Sequence, residues 1–336
     1  MKLRVGIVGL GDQWEGRHLP ALRMLADRFE VQGVCEQVSH RAERAAKELS
    51  TTAVDGFRAL AGRDDIDAIL YLADQWFGAT PILAACDHGK AVYSAISFPL
   101  DLAEAGALQR RVEESGIAFM SELPRRHAAA TVRLKELIAT RLGPPRMLFC
   151  HRRVPLSSTS GPAPARDRTS EARDLMELVD WCRYVAGVEP TSVVAVRHAE
   201  AVGADADDYR MMSLDFSATG RTGDGPLAQI SCGYYMPRAW EEAVGFRPPP
   251  GLQVVCERGI AFVDLPQTLV WFDDAGRHQE SLESERPVGE RMLGQFHRMV
   301  TSLIRQTSGL DDTLRAMRIV EAADTSVAEG IRVQLG

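Results

Sequence analysis

The chain has 336 residues, of which 45% are hydrophobic and 25% charged, and its formal net charge is -7. This composition is typical of a globular protein with two domains or one large one, and the negative charge argues against a nucleic-acid partner or an anionic membrane surface. Six cysteines without a C-x-x-C pair argue against a zinc site or a disulfide framework, and no bound metal is expected. No apolar run is long enough to span a membrane, and the first strand leaves no room for a signal peptide. A reducing, cytoplasmic location is therefore expected.

The N-terminal segment VGIVGLGDQWEGRHLPAL, residues 5–22, predicts a strand, a glycine turn and a helix. Gly9, Gly11 and Gly16 let the backbone of the turn approach a pyrophosphate, and the N-terminus of the following helix offers unpaired N–H groups. The helix is indicated by apolar residues at three- and four-residue intervals, namely Leu19, Leu22, Leu25, Ala26 and Phe29. The segment therefore predicts a site for the phosphates of a dinucleotide.

A second strand, VQGVCE at 31–36, ends on an acidic side chain. Glu36 lies where dinucleotide-binding proteins have a carboxylate that binds the ribose 2′-hydroxyl. Because this carboxylate would repel a 2′-phosphate, we expect NAD as the cofactor rather than NADP, although Arg41 and Arg44 nearby temper that preference. The third glycine of the fingerprint is replaced by Trp14, which predicts a longer or bulkier phosphate loop.

Strands and helices alternate through the rest of the N-terminal third of the chain. The remaining predicted strands are 52–54, 67–73, 90–95 and 117–122. The predicted helices are 41–49, a short helix around Phe57 and Leu60, a helix that ends at Gly89, and 102–116. The third of these begins with Thr80 as its N-cap and Pro81 in its first position. This alternation predicts an α/β fold with a doubly wound parallel sheet over residues 1–122.

The pattern changes after residue 122. Helices are predicted at 130–143 and 174–187 and near 290–306 and 311–329. Strands are predicted at 147–153, 191–200, 209–218, 227–235, 252–265 and 268–273. A long loop, rich in Pro, Ser, Gly and Ala, is predicted at 155–172. Residues 123–336 are therefore expected to form a second, α+β domain with a large open antiparallel sheet. The C-terminal helix is a candidate to pack back on the first domain.

Several motifs resemble the glucose–fructose oxidoreductase/inositol dehydrogenase family, often called Gfo/Idh/MocA. The resembling segments are GIVGLG with RHLPAL, VCEQVSHRAERAA, LPRRHAAATVRLKELIATRLGPPR and SGLDDTLRAMRIVEAADTSVAEGIRV. The resemblance runs through nearly the whole chain. It implies an N-terminal Rossmann domain, a C-terminal domain with a large open sheet, an NAD(P) cofactor and a small-molecule, sugar- or cyclitol-like substrate. It also implies a homodimer or homotetramer, in which outward apolar positions of 227–235 and 252–265 form the interface.

The chain departs from this family at the catalytic lysine. Relatives carry Glu-Lys-Pro just after the fifth strand, and a gap-free alignment places Ala95, Ile96 and Ser97 there. Alignment on Pro99 instead puts Phe98 at the lysine position. Oxidising an alcohol by hydride transfer requires removal of the hydroxyl proton, which neither an isoleucine nor a phenylalanine can accept. Another side chain must take that role, or the usual reaction is lost.

The family's His-x-x-Asp motif reads Glu-Leu-Val-Asp in this chain, with Glu177 in the histidine position and Asp180 retained. By spacing alone, Glu177, Asp180 and Tyr184 indicate a solvated helix face. The resemblance implies instead that this face lines the substrate cleft, and it makes Glu177 the best candidate for the base. Tyr93 and His151 are further candidates for proton transfer, with a core residue and a satisfied polar group as the respective alternatives.

Three other groups leave alternatives open. Glu122 ends a strand at the edge of the sheet where ligands bind in doubly wound folds, although a capping or salt-bridge role is favoured. Arg125 and Arg126 are either ion-pair partners or contacts of an anionic substrate. The run 151–153, His-Arg-Arg, is either a set of satisfied polar groups or a site for a phosphate or carboxylate.

Together with the residues, the resemblance implies an NAD-dependent oxidoreductase that acts on a sugar, polyol or related small molecule with a rebuilt catalytic centre. Two alternatives are a catalytically silent relative that binds dinucleotide or ligand, and a non-redox enzyme that uses tightly held NAD transiently. The expected cofactor-binding residues are Gly9, Gly11, Asp12, Gln13, Trp14, Glu36, Ala73, Gln75 and Ala95, of which Ala73 and Gln75 belong to the Ala-Asp-Gln that replaces the family's Thr-Pro-Asn turn. The expected catalytic residues are Glu177, Asp180, Tyr93 and His151.

Overall fold

The computed structural model describes residues 2–73, 77–95, 102–156, 168–198, 209–218, 221, 223–237, 242, 250–265, 267–302 and 307–336. The chain divides into two compact units, Met1–His127 with Arg286–Leu314, and Ala128–Glu285 with Arg315–Gly336. The first unit thus takes in a segment, Arg286–Leu314, from the range predicted for the second domain.

The first unit is built on a parallel sheet. Its strands among the described residues are β1 Leu3–Val8, β2 Phe29–Cys35, β3 Ala68–Tyr71, β4 Ala91–Ser94, β5 Phe119–Ser121 and the two-residue β14 Thr307–Ser308. They pair in the order β14-β5-β4-β3-β1-β2, and every pairing is parallel. The central strands are short apolar runs that are almost wholly buried, as is typical of a parallel sheet covered by helices. The predicted doubly wound parallel sheet is confirmed.

Helices follow the strands in the predicted alternation. They are α1 Leu19–Met24, α2 Ser39–Glu48, α3 Phe57–Ala61, α4 Thr80–Asp87, α5 Leu102–Ser115, α6 Pro124–His127 and α9 Val288–Thr301, and a π-helical turn, Trp14–His18, precedes α1. Two local predictions are wrong. Phe29 does not extend α1 but begins β2, because it pairs with Leu3 of β1 and suits a strand. The N-cap of α4 is Ala79, and Thr80 lies inside the first turn.

The second unit is built on a large open sheet. Its strands are β6 Pro145–Leu156, β7 Ser192–His198, β8 Tyr209–Asp215, β9 Leu227–Pro237, β10 Leu252–Cys256, β11 Ile260–Asp264, β12 Thr268–Asp273, β13 Gly276–Ser281 and β15 Val333–Gln334. Among the described residues they pair in the order β13-β12-β11-β10-β6-β9-β8-β7-β15. Neighbouring strands are antiparallel, except that β6 and β9 are parallel. The predicted large antiparallel sheet is therefore confirmed.

The helices of the second unit are α7 Ala129–Leu137, α8 Arg168–Ala186 and α10 Leu310–Glu329, the last of which begins in the first unit. After α7, a π-helical turn, Ile138–Leu142, ends at Gly143, whose φ of +75° favours glycine. The loop predicted at 155–172 is wrong at both ends: β6 extends to Leu156, and α8 begins at Arg168. Residues 157–167 lie outside the described residues.

The two faces of the large sheet differ in exposure because side chains alternate along each strand. One face packs on the helices around Leu148, Trp181 and Val254, which are fully buried. On the opposite face, which we call the open face, large apolar side chains are 39% to 51% exposed: Met147, Val194, Val196, Leu227, Tyr235 and Phe272. The open face therefore presents apolar surface from four strands.

All six cysteines are buried and free. Cys35 and Cys86 lie in the first unit, and the others, Cys150, Cys182, Cys232 and Cys256, lie in the second. Burial raises the pKa of Cys232 and Cys256 to about 11, which keeps these thiols protonated. Over the described parts of the chain, no helix is long and apolar enough to cross a membrane.

Candidate functional site

The turn after β1 has room for glycine alone at two positions. Gly9 has a φ of +75°, and a Cβ there would lie 2.6 Å from the Cβ of Ala73. A Cβ on Gly11 would lie 2.1 Å from the carbonyl oxygen of Leu72. The turn therefore packs directly on the chain that leaves β3. A backbone that approaches its neighbours this closely is what a pyrophosphate site at the carboxyl edge of a parallel sheet requires.

Trp14, at the position of the third glycine, does not fill the turn. Its side chain is 5% exposed and packs in the core of the first unit. The π-helical turn Trp14–His18 lengthens the connection to α1, while Asp12 and Gln13 remain exposed. A Cβ on Gly16 would meet no heavy atom within 4 Å, so this glycine is not required by packing. The predicted longer loop is present, but the indole does not make it bulkier.

Glu36 connects the end of β2 to the glycine turn. Its carboxylate accepts a hydrogen bond of 2.6 Å from the backbone N–H of Leu10 and one of 3.0 Å from that of Gln37. The Arg41 guanidinium donates a 2.5 Å hydrogen bond to the Leu10 carbonyl, so α2 also holds the turn. Arg44 pairs with Glu15 at 2.8 Å. Both arginines thus contact the segment that follows β1: Arg41 binds the glycine turn at Leu10, and Arg44 binds the π-helical turn at Glu15.

Two cavities in the first unit are lined by residues of the glycine turn or of the end of β2. One, of about 220 Å³, is lined by residues that include Gly11, Asp12, Trp14, Arg41 and Arg44. The other, of about 280 Å³, is lined by residues that include Glu36, Gln37, Asp55, Gly56 and Phe77. The predicted cofactor residues therefore line two separate cavities, with Gly11, Asp12 and Trp14 at the first and Glu36 at the second.

The other predicted cofactor residues follow β3 and β4. Ala73 contacts the turn at Gly9, and the Ala95 N–H donates a 2.8 Å hydrogen bond to the Tyr71 carbonyl. Both lie at the carboxyl edge of the parallel sheet, where doubly wound folds bind their ligands. Gln75, like the positions 96–99 aligned with the family lysine, lies outside the described residues.

Tyr93 lies in the core of the first unit. Its side chain is fully buried, and its hydroxyl donates a 2.8 Å hydrogen bond to Glu122. Burial, together with the charge of Glu122 and this hydrogen bond, raises the pKa of Tyr93 well above its usual value of 10. The surroundings favour a core role over proton transfer. Glu122 also contacts Arg17 and His18, which fits the favoured salt-bridge role.

In the second unit, α8 carries the residues of the His-x-x-Asp position. Asp180 is 2% exposed and pairs at 3.4 Å with Arg183, which also pairs with Glu189 at 2.7 Å. Glu177 is less buried, with a side chain that is 31% exposed, and its carboxylate lies 3.8 Å from the Arg152 guanidinium. The helix face is therefore not uniformly solvated: Asp180 has buried ionic partners, whereas Glu177 retains an accessible carboxylate.

His151 and Arg152 are neighbours on β6, so their side chains lie on opposite faces of the large sheet, and only Arg152 enters a polar cluster with α8. His151 Nδ1 lies 2.8 Å from the Ser231 hydroxyl, and burial and the charge of Arg153 lower the pKa of His151. Arg152 pairs at 2.6 Å with Asp174, which accepts a 2.5 Å hydrogen bond from the Tyr234 hydroxyl. Asp174 and Tyr234 were not foreseen. Asp174 lies one helical turn before Glu177, a spacing that could have indicated it.

Comparisons with known proteins agree with this architecture. An oxidoreductase family with an NAD-binding Rossmann fold, Gfo/Idh/MocA, matches residues 3–123. Dehydrogenase aclE from Aspergillus oryzae (strain ATCC 42149 / RIB 40) is 28% identical over 146 residues, which span 41% of this chain and 40% of that curated relative. Aldose-aldose oxidoreductase from Caulobacter crescentus, solved with glycerol, is 16% identical with a TM-score of 0.82 over 100% of both chains. UDP-N-acetylglucosamine 3-dehydrogenase GnnA from Acidithiobacillus ferrooxidans is 19% identical with a TM-score of 0.77, over 98% of this chain and 99% of that one.

The parallel sheet, its glycine turn and Glu36 define a dinucleotide-binding protein of the Rossmann class that carries a second unit with a large open sheet. The matched family and the fold shared along the whole chain make the identification more specific. Residues 3–123 match the Gfo/Idh/MocA family of oxidoreductases, and along its whole length the chain shares the fold of the two solved structures named above.

Proposed function

We propose that this chain is an NAD-dependent oxidoreductase that acts on a sugar, polyol or related small molecule through a catalytic centre unlike that of most relatives. The observation that carries the proposal is the glycine turn, in which a Cβ at Gly11 would collide with a backbone carbonyl while Glu36 accepts a hydrogen bond from the same turn. Two proteins that share the fold, an aldose-aldose oxidoreductase and a UDP-N-acetylglucosamine 3-dehydrogenase, support the substrate class.

The residues present suit a nicotinamide dinucleotide. The Gly9–Gly11 turn would hold the pyrophosphate through its backbone, and the Glu36 carboxylate would accept hydrogen bonds from the ribose hydroxyls. When bound, the cofactor would supply hydride chemistry at its nicotinamide ring. The chain must supply the proton transfer, because no lysine stands at the aligned positions 95–98.

Glu177 is our candidate for that proton transfer. It occupies the family's histidine position, and its carboxylate is accessible enough to meet a hydroxyl group. Asp180 would act only through its neighbours, since its carboxylate is buried against Arg183. His151 is the next candidate, because its ring is partly exposed and its Nδ1 lies 2.8 Å from the Ser231 hydroxyl.

The function is tested by titrating the purified protein with NADH and then following nicotinamide absorbance across a panel of sugars and polyols. We expect saturable binding and steady NADH production with at least one member of the panel. Binding without turnover of any substrate would favour the silent relative. A retained nicotinamide whose absorbance changes only transiently during turnover would favour the non-redox enzyme.

Glu36 leads us to expect tighter binding of NADH than of NADPH by about tenfold or more, because the carboxylate would repel a 2′-phosphate. Glu36→Gln should reduce or reverse this preference in a fluorescence titration with both cofactors. Glu30→Gln is the matched control, since Glu30 is exposed on the same strand at its other end. Tighter NADPH binding by the unchanged protein would contradict the assignment.

We also propose that the open face of the second unit is covered by a second copy of the chain. Its exposed side chains Met147, Val196, Leu227 and Tyr235 supply apolar surface, and a two-fold arrangement would let the same patch serve both copies. The exposed apolar surface extends beyond the two segments expected from sequence, 227–235 and 252–265, since β6 and β7 contribute as well.

Val196→Glu should therefore convert a dimer or tetramer into a smaller species in light scattering at micromolar concentration. Val196 is 51% exposed on the open face. Val188→Glu is the matched control, because Val188 is 48% exposed but lies between α8 and β7, outside the sheet. A mass corresponding to one chain for the unchanged protein would contradict the assembly.

A further inference from the structure

A buried ionic cluster lies beside the glycine turn within the first unit. The Glu122 side chain is 4% exposed, and its carboxylate pairs with the Arg17 guanidinium and lies 2.8 Å from Nε2 of His18. The Tyr93 hydroxyl donates a 2.8 Å hydrogen bond to the same carboxylate. One carboxylate thus contacts three partners in a largely buried site. With little water nearby, the negative charge of Glu122 is what stabilises the polar groups of all three partners.

Two of the three partners of Glu122, Arg17 and His18, lie in the segment that continues the glycine turn. Arg17 and His18 are the last residues of the π-helical turn, and α1 starts at Leu19. The His18 side chain is 3% exposed, and its Nδ1 has no hydrogen-bond partner among the described residues. The contact with Glu122 is therefore the polar interaction that the structure gives this buried ring.

The cluster joins parts of the sheet that are distant in sequence. Glu122 directly follows β5, Tyr93 belongs to β4, and the π-helical turn follows β1. On the other side, a Cβ on Gly289 of α9 would lie 2.8 Å from the Arg17 carbonyl, so α9 packs closely on the turn. The π-helical turn thus lies between α9 on one side and the Glu122 carboxylate, at the edge of the sheet, on the other.

The carboxylate is ionised in this setting. Burial raises the pKa of Glu122, but the hydrogen bond and charge of His18, the charge of Arg17 and the Tyr93 hydroxyl outweigh burial, and the pKa is lowered overall. Neutralising Glu122 would leave Arg17 and His18 without their anion in a site that excludes water. Because a buried charge without its partner is strongly destabilising, the Arg17 guanidinium would then favour a position closer to solvent.

We propose that Glu122 is a positioning residue that holds the glycine turn in its dinucleotide-binding conformation through Arg17 and His18. The inference rests on the proposed dinucleotide binding at that turn. Glu122 would not touch the cofactor; it acts on the segment whose displacement would move the backbone of Gly11 and Asp12 away from the phosphates.

The test compares Glu122→Gln with Asp67→Asn, a matched loss of an arginine-paired carboxylate. Asp67 precedes β3 at the amino edge of the sheet and pairs with Arg4 at 2.6 Å. We expect Glu122→Gln to weaken NADH binding about tenfold in a fluorescence titration, while Asp67→Asn leaves the Kd unchanged. Thermal unfolding of both variants separates lost stability from lost affinity. Unchanged affinity in Glu122→Gln, or equal weakening in both variants, would overturn the proposal.

A double-mutant cycle then asks whether Glu122 acts through the turn. Glu122→Gln and His18→Gln should each weaken NADH binding, and the double variant should be no weaker than the worse single one. Additive effects would overturn the positioning role. Amide hydrogen exchange over residues 11–18 gives a readout that needs no cofactor: Glu122→Gln should accelerate it, and Asp67→Asn should not. If the unchanged protein binds no NADH, the proposed function fails, and the exchange measurement alone decides the role of Glu122.

Discussion

Gly11→Ala is expected to reduce NADH affinity about 100-fold, an effect of roughly 2.7 kcal/mol. The new Cβ would start 2.1 Å from the Leu72 carbonyl oxygen, and neither the turn nor the chain after β3 can yield without moving backbone. The displaced turn could no longer bring its N–H groups to a pyrophosphate. The affinity is measured by fluorescence titration, together with the thermal unfolding midpoint, because the collision also costs about 1–3 kcal/mol of stability.

Gly16→Ala provides the control within the same segment. A Cβ there meets nothing within 4 Å, and Gly16 lies in the π-helical turn, so alanine should leave both affinity and stability unchanged. If Gly11→Ala bound NADH as the unchanged protein does, the glycine turn would not be the phosphate site. If both variants lost affinity equally, the effect would come from the helicity of the segment rather than from the collision.

Glu177→Gln should lower turnover about a hundredfold or more, with little change in NADH affinity. Glutamine keeps the shape and hydrogen-bonding capacity of the side chain but lacks the titratable carboxyl group that would accept a proton. The reaction is followed by NADH formation with the substrate found in the panel, at saturating concentrations of both reactants. A role limited to pairing with Arg152, 3.8 Å away, would instead change the unfolding midpoint and leave turnover intact.

Glu321→Gln is the matched control for this measurement. Glu321 is exposed on α10, and its replacement removes the same charge from a helix of the same unit. Full activity in Glu177→Gln would move the search for the base to His151, since Tyr93 is fully buried against Glu122. Absence of turnover in the unchanged protein with every substrate tested would favour the silent relative.

The glycine turn and the acidic residue beside it could be predicted because their signals are local. An apolar run, glycines in the following turn and an acid ending the next strand suffice to propose that Gly11 and Glu36 belong to one site. The position of the Trp14 indole could not be predicted in this way. A π-helical turn shifts every later side chain around the helix axis, and apolar periodicity gives no sign of such an inserted residue.

The second unit shows where sequence patterns stop being informative. The spacing of Asp180 and Arg183 on one helix suits an ion pair, but their burial follows only from how α8 packs on the sheet. Tyr234 reaches Asp174 across 60 residues of sequence, a contact that no local pattern contains. Strand β13 was missed for a related reason, because its side chains alternate between exposed and half-buried and lack the apolar signature of a strand.

The buried cysteines give each unit its own internal chemical reporter. A thiol reagent cannot reach Cys35 or Cys86 in the first unit, or the four thiols of the second, until the surrounding structure opens. Labelling rates in water would therefore measure the opening free energy of each unit separately, provided that reclosing is faster than modification. Peptide mapping of the labelled sites would then tell which unit opens first, and whether a bound dinucleotide slows the opening of the first unit alone.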